Sequence, residues 1–170
     1  MADPGRDGGF WVYEYKNSLN SLMPVKILGF PKHRTLHPLG IDVFKAKGKE
    51  PATAFVANLD VEASVIDVFT ISSKAPYKAV YRRTVRHPYV HAPNAIVAIS
   101  PTQFYVSIDH RYTMRMPKWI AMLSILENLH APLGWVEFVE LLPNDKVKYT
   151  TAANFINFAN GDSSYPSQSS

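Results

Sequence analysis

Val65–Ile71 reads VIDVFTI, and the chain that leaves it arrives at Pro93-Asn94-Ala95. The same arrangement occurs twice more. Trp11, in FWVYEY, leads to Pro38-Leu39-Gly40, and Trp135, in WVEFVEL, leads to Ala159-Asn160-Gly161. Each time, a stretch rich in aromatic and β-branched residues, which suit a pleated strand, is followed by a turn, a further strand and a tight corner. Repeats of this kind suggest the blades of a β-propeller, whose equivalent corners converge on one axis. Two of the three corners carry an asparagine, Asn94 and Asn160, whose amide oxygens suit a hard cation.

Outward from these landmarks the chain reads as short paired strands. Phe10–Tyr15 and Met23–Phe30 flank a turn at Asn17–Ser21, and Leu39–Phe44 and Ala54–Asn58 flank a polar loop at Lys45–Pro51. Ser64–Ile71 and Ala79–Arg86 flank a turn at Ser72–Pro76. Ala95–Ile99 and Phe104–Ile108 are joined by Ser100-Pro101-Thr102-Gln103, with proline early in the turn. Close antiparallel pairs without βαβ alternation indicate an all-β fold. The exception is Trp119–His130 (WIAMLSILENLH), whose apolar residues recur at helical spacing between Pro117 and Pro132. It predicts one inserted helix, packed on the domain in preference to lying on a membrane surface.

A repeat takes about 50 residues, so the chain holds about three blades, whereas propellers close with roughly 4 to 8. The expected domain is a partial β-propeller over residues 1–161, followed by a disordered polar tail over 162–170 (DSSYPSQSS). An open ring exposes strand edges, so self-association through open blade edges is expected. The chain of 170 residues is long enough for one real core, and thirteen prolines against eight glycines fit many turns and few long helices.

Composition excludes several classes. The net charge is only +4, and the basic residues are scattered (Lys45, Lys47, Lys49, then Arg82, Arg83, Arg86), which disfavours nucleic acid as a partner. There is no cysteine, hence no disulfide and no thiol chemistry. No apolar run is long enough to span a membrane. The N-terminal MADPGRDGGF is no signal peptide, so the chain as written is expected in the cytoplasm, while a longer parent could be secreted or membrane-associated.

At Asn94 the residues become specific. Pro93-Asn94-Ala95-Ile96-Val97-Ala98-Ile99-Ser100-Pro101-Thr102-Gln103-Phe104-Tyr105, followed by Asp109-His110, resembles the serum paraoxonase/arylesterase family. Asn157-Phe158-Ala159-Asn160-Gly161 and Pro38-Leu39-Gly40-Ile41 resemble it too, so the likeness runs from about Phe10 to Gly161. The resemblance implies a six-bladed propeller with two Ca2+ ions in its tunnel, hydrolysing lactones and aryl esters. It implies metal ligands at Asn94 and Asn160, with the ion polarising the substrate carbonyl.

This sequence departs from the family pattern at several points. The positions of the family's histidine dyad read Leu39 and Leu59, and leucine cannot move a proton. His37, two residues before Leu39, is a candidate substitute. The acid that follows the first asparagine ligand in the family is Ala95 here, and the acidic pair before the first full blade and the ligands of later blades lie beyond the chain. Asp109 and His110 match the family's Asp-His and are the remaining catalytic candidates, because a carboxylate can orient a histidine.

Other pairings carry less. His33 and His37, and His87 and His91, are four apart, but proline-containing loops rule out the helical face that would chelate zinc. Ser163 and Ser164 lack a nucleophile elbow. The expectation is a calcium-dependent ester hydrolase acting on a small-molecule ester or lactone, impaired in this truncated chain. The alternatives are a non-catalytic propeller scaffold that binds a partner through open edges and a truncated gene product.

Overall fold

The computed structural model describes residues 8–13, 22–48, 51–72, 74–113, 115–125, 129, 131–157 and 159. Among the described residues there are eleven strands: β1 Trp11–Tyr13, β2 Leu22–Pro24, β3 Lys26–Leu28, β4 Pro38–Phe44, β5 Ala52–Leu59, β6 Ser64–Ile71, β7 Lys78–Val85, β8 Pro93–Ser100, β9 Gln103–Ile108, β10 Gly134–Leu141 and β11 Val147–Ile156. A short helix, α1, covers Lys118–Ala121, and 124–125 are helical as well.

The strands make two blades. In the first, β4, β5, β6 and β7 pair antiparallel in chain order, and β3 adds to β7 in parallel. In the second, β8, β9, β10 and β11 do the same. A separate pair, β1–β2, stands alone. Among the described residues no sheet closes on itself, and the fold is all-β and propeller-like but partial. The inner strands β4 and β8 face each other and are tied by the Ala98 N–H, which donates to the Asp42 carboxylate at 2.8 Å.

Burial explains the strand sequences. β5 (ATAFVANL) and β6 (SVIDVFTI) are buried along nearly their whole length, so they read as continuous apolar runs rather than alternating ones. One face of the first blade packs on the second blade through Phe55, Ile66, Val85, Phe104, Val106 and Trp135. The opposite face packs Ala54, Val56 and Phe69 on Phe10, Val25 and Leu36 from the preceding segment. The repeat itself is visible as an acid–threonine pair. Asp67 of β6 lies opposite Thr84 of β7, and the Thr84 hydroxyl donates to it at 2.5 Å; Glu137 of β10 meets Thr151 of β11 at 2.7 Å.

Several expectations need adjustment. Val65 and Trp135 do open equivalent third strands, but Trp11 opens the detached β1–β2 pair. Met23–Phe30 is not one strand, because Val25 is buried and its N–H turns to the Phe10 carbonyl, splitting it into β2 and β3. The segment expected as a helix over 119–130 is helical at Lys118–Ala121 and again at 124–125, with 126–128 and 130 outside the described residues. It is not packed on the domain along its apolar side: Ala121 is buried, whereas Trp119 is 72% exposed and Met122 and Ile125 also face outward. Local spacing signals helix, but among the described residues no surface covers Trp119, Met122 and Ile125 and no side chain caps the helix start. The expected tail at 162–170 lies outside the described residues, and among those described no helix is long and apolar enough to cross a membrane.

Candidate functional site

In both blades the inner strand begins where the second strand ends. Pro38 of β4 lies opposite Asn58 of β5, and Pro93 of β8 lies opposite Ile108 of β9. Both inner strands carry a register shift there, between Pro38 and Gly40 and between Pro93 and Ile96. Bulges of this kind re-aim side chains at a sheet's rim. They make Leu39 and Asn94 equivalent corners, and bring Leu59 beside the first and Asp109-His110 beside the second.

The corners border a cavity of about 490 Å³ whose wall includes Leu39, Leu59, Pro93, Asp109, His110 and Arg115. Asn94 Nδ2 donates to Asp109 Oδ2 at 2.7 Å, and His110 Nδ1 lies 2.9 Å from Asp109 Oδ1. Three of the expected residues therefore form one chain, Asn94–Asp109–His110. With Nδ1–H directed at the carboxylate, the basic lone pair of the imidazole is on Nε2. Leu39 and Leu59 lie on the same wall, so the two positions that the resemblance gives to histidine do face this cavity and present methyl groups to it.

His37 is placed differently. Its N–H donates to Asn58 Oδ1 at 2.6 Å, its carbonyl accepts from the Leu59 N–H, and its buried Nε2 has no hydrogen-bond partner among the described residues. It is not on the cavity wall. Asn160 lies outside the described residues, as do Ser163 and Ser164. Among the histidine pairs, His91 is fixed by the carbonyls of Pro88 and Arg111, at 2.8 and 3.1 Å, and His87 stacks on Tyr149 with ring centroids 3.7 Å apart.

Calcium takes roughly six to eight oxygen ligands, commonly with carboxylates among them. Asp109 is already engaged by Asn94 and His110, and the Asn94 amide turns its nitrogen, not its oxygen, toward that carboxylate. Among the described residues no three His, Cys, Asp or Glu side chains are gathered closely enough to hold a cation. The described residues thus do not themselves make a calcium site.

A second polar cluster lies behind the first corner and was not singled out from the sequence. The buried Arg34 donates through Nε to Asp60 at 2.6 Å and through Nη1 and Nη2 to Asp67 at 2.8 and 3.0 Å. Asn58 Nδ2 donates to Asp67 at 2.8 Å and to the Thr35 carbonyl at 2.9 Å, locking the end of β5 to the segment that enters β4. Burial works against the charge on Arg34, but hydrogen bonds and attraction from Asp67 and Asp60 outweigh it and hold its pKa above the usual arginine range. Burial likewise would raise Asp60, yet bonds from Arg34 and from the Thr35 N–H and hydroxyl, with the Arg34 charge, hold its carboxyl below 3.8. One signal was legible: Asp67 sits in the middle of an apolar strand, and a buried carboxylate requires a cation. The identity of that cation was not legible.

Comparison with known proteins agrees with this architecture. Residues 3–168 match the family model described as Arylesterase. The chain is 24% identical over 160 residues to serum paraoxonase/arylesterase 2 of Canis lupus familiaris, covering 92% of this chain and 42% of that protein. It is 25% identical over 163 residues to serum paraoxonase/arylesterase 2 of Homo sapiens (94% and 43%), and 28% identical over 120 residues to serum paraoxonase/lactonase 3 of Homo sapiens (71% and 33%). The chain spans less than half the length of these relatives. With almost its whole length matched to the family model, the chain belongs to the arylesterase family.

Proposed function

We propose that the chain is part of a carboxylic-ester hydrolase, and that a small ester or lactone enters the cavity between the two blade corners. The observation that carries this reading is the Asp109–His110 pair, 2.9 Å apart on the wall of a cavity of about 490 Å³. Asn94 holds Asp109, Asp109 holds His110, and His110 Nε2 is the general base. It takes a proton from water as the water oxygen bonds to the carbonyl carbon. The proton then passes to the departing alkoxide or phenoxide as the C–O bond breaks, leaving an acid and an alcohol. From a lactone the single product is a hydroxy acid. Leu39 and Leu59 supply an apolar wall for the body of the substrate.

Calcium enters this reading only through a complete ring, where other blades contribute the missing oxygens. Asn94 and Asn160 are the positions on this chain that would face the ion. A non-catalytic scaffold is the second reading, favoured by Leu39 and Leu59 standing on the cavity wall where the family resemblance puts its histidine dyad.

The test is hydrolysis of phenyl acetate and a γ-lactone by the purified chain, with calcium and with a chelator, beside His110→Gln. Turnover that the chelator and the substitution both abolish supports the hydrolase. No turnover with calcium present, and no calcium-dependent rise in melting temperature, leaves the scaffold, since a ligand of the folded state must stabilise it.

A further inference from the structure

Two cavities share one wall. The cavity of Asp109 and His110 and a neighbour of about 400 Å³ have Ser64, His91, Thr113 and Arg115 in common. The first is bordered by Leu39 and Leu59, the second by Arg86, His87 and Glu62. Both linings are mainly apolar, with charged groups set into them: Asp109 and His110 in the first, Arg86 and Glu62 in the second.

Arg115 lines both cavities. Its Nη2 donates to the Asp60 carbonyl oxygen at 2.6 Å, which anchors the guanidinium and uses one of its five N–H donors. The Asp60 carboxylate is taken up by Arg34, Thr35 and the Val61 N–H. Among the described residues no carboxylate side chain lies within ion-pair distance of Arg115. Arg86 lies 3.9 Å from Glu62, and both line the second cavity, so the two charges offset each other there and Arg115 is the cation left to act. In the wall between them, His91 has its ring nitrogens 2.8 and 3.1 Å from the Pro88 and Arg111 carbonyls, and a neutral ring donates to one of the two. An anchored guanidinium with unused donors at a cavity boundary is a carboxylate receptor.

The geometry points to an acid-reading subsite. The second cavity holds a carboxylate that the substrate carries away from its scissile carbonyl, and Arg115 selects it. The substrate class is then a half-ester of a dicarboxylic acid, or a lactone bearing an acidic arm. This deepens the ester-hydrolase reading and rests on it for the kind of molecule bound, although binding can be measured without turnover.

The test is calorimetric titration of the full chain with two unreactive analogues, neutral acetanilide and succinanilic acid, which adds a carboxylate arm. The wild type is expected to bind the acid roughly tenfold more tightly, the worth of one charged hydrogen-bond pair. Arg115→Met is expected to equalise the two affinities, while Arg115→Lys keeps a preference for the acid. Equal affinities in the wild type, a preference intact in Arg115→Met, or no binding of either compound overturns the proposal. Should Arg115→Met unfold, salt decides: raising it from about 0.05 to about 0.5 M must shrink the wild-type preference, and indifference to salt overturns it. Phenyl acetate turnover in the same preparations is a separate readout. Preference without turnover sinks only the hydrolase reading, and turnover without preference sinks only the subsite.

Discussion

Gly40 lies against Asn94: a Cβ added at Gly40 would overlap the Asn94 carbonyl oxygen and crowd the Ala95 Cα. The first blade's corner is therefore in backbone contact with the second blade's corner. That approach sets the spacing between Leu39 on one side of the cavity and Asp109 on the other. Glycine is needed here for lack of a side chain, not for an unusual φ.

Gly40→Ala should cost about 1–3 kcal/mol, because the obstructing atoms are backbone and cannot rotate away. Urea denaturation reads the loss directly. A variant as stable as the wild type would mean the two corners are further apart than described.

Phe55 and Phe104 hold the blades together, with ring centroids 4.5 Å apart and both side chains fully buried. Phe55→Ala should destabilise by about 3–5 kcal/mol. Because the rings touch, adding Phe104→Ala should cost less than the sum of the two single changes. Strict additivity in chemical denaturation would show that the contact contributes nothing of its own.

Arg34 neutralises Asp60 and Asp67 where water does not reach. Arg34→Met should cost about 3–5 kcal/mol at neutral pH by leaving two buried carboxylates without their cation. Changing both acids to asparagine in that background should recover part of the loss. Thermal melts that show Arg34→Met within experimental error of the wild type count against the network.

Acid should act through Asp60. Its carboxyl takes up a proton near 3.8 when unfolded and only at lower pH when folded, so below about pH 4 the unfolded chain binds more protons. The stabilisation is present above that pH and declines as pH falls through the folded value. Melting temperature should drop on acidification below about pH 4, and Asp60→Asn, weaker at pH 7, should drop less steeply. Parallel curves for the two proteins would assign the acid sensitivity to other groups.

Asp109→Asn should lower ester turnover about 10²–10⁴-fold, because an amide no longer holds the His110 proton on Nδ1. Its stability should change little, since His110 is partly exposed. The decisive readout is the pH–rate profile: loss of rate with an unaltered profile would mean that Asp109 only supports the corner.

The strands were legible because strand formation is local. Ser64–Ile71 has the bounds read from VIDVFTI, and Ala95–Ile99 falls within β8. The Asn94-to-His110 stretch was specific enough to point to the family before any coordinates. Helix near Trp119–His130 was legible for the same local reason, but apolar spacing does not say whether a surface exists to receive it.

What the chain's own order of residues determined was the alternation, the turns, the repeated corners and the family. Which side chains meet was decided only in three dimensions. Arg34 finds Asp67, Arg115 finds the Asp60 carbonyl, and Leu39 and Leu59 come to share a wall with His110. The physical reason is range. Propensity and periodicity depend on neighbours in the chain, whereas these meetings depend on pairing across blades and on bulges at Pro38–Gly40 and Pro93–Ile96, which a one-residue change of register would undo.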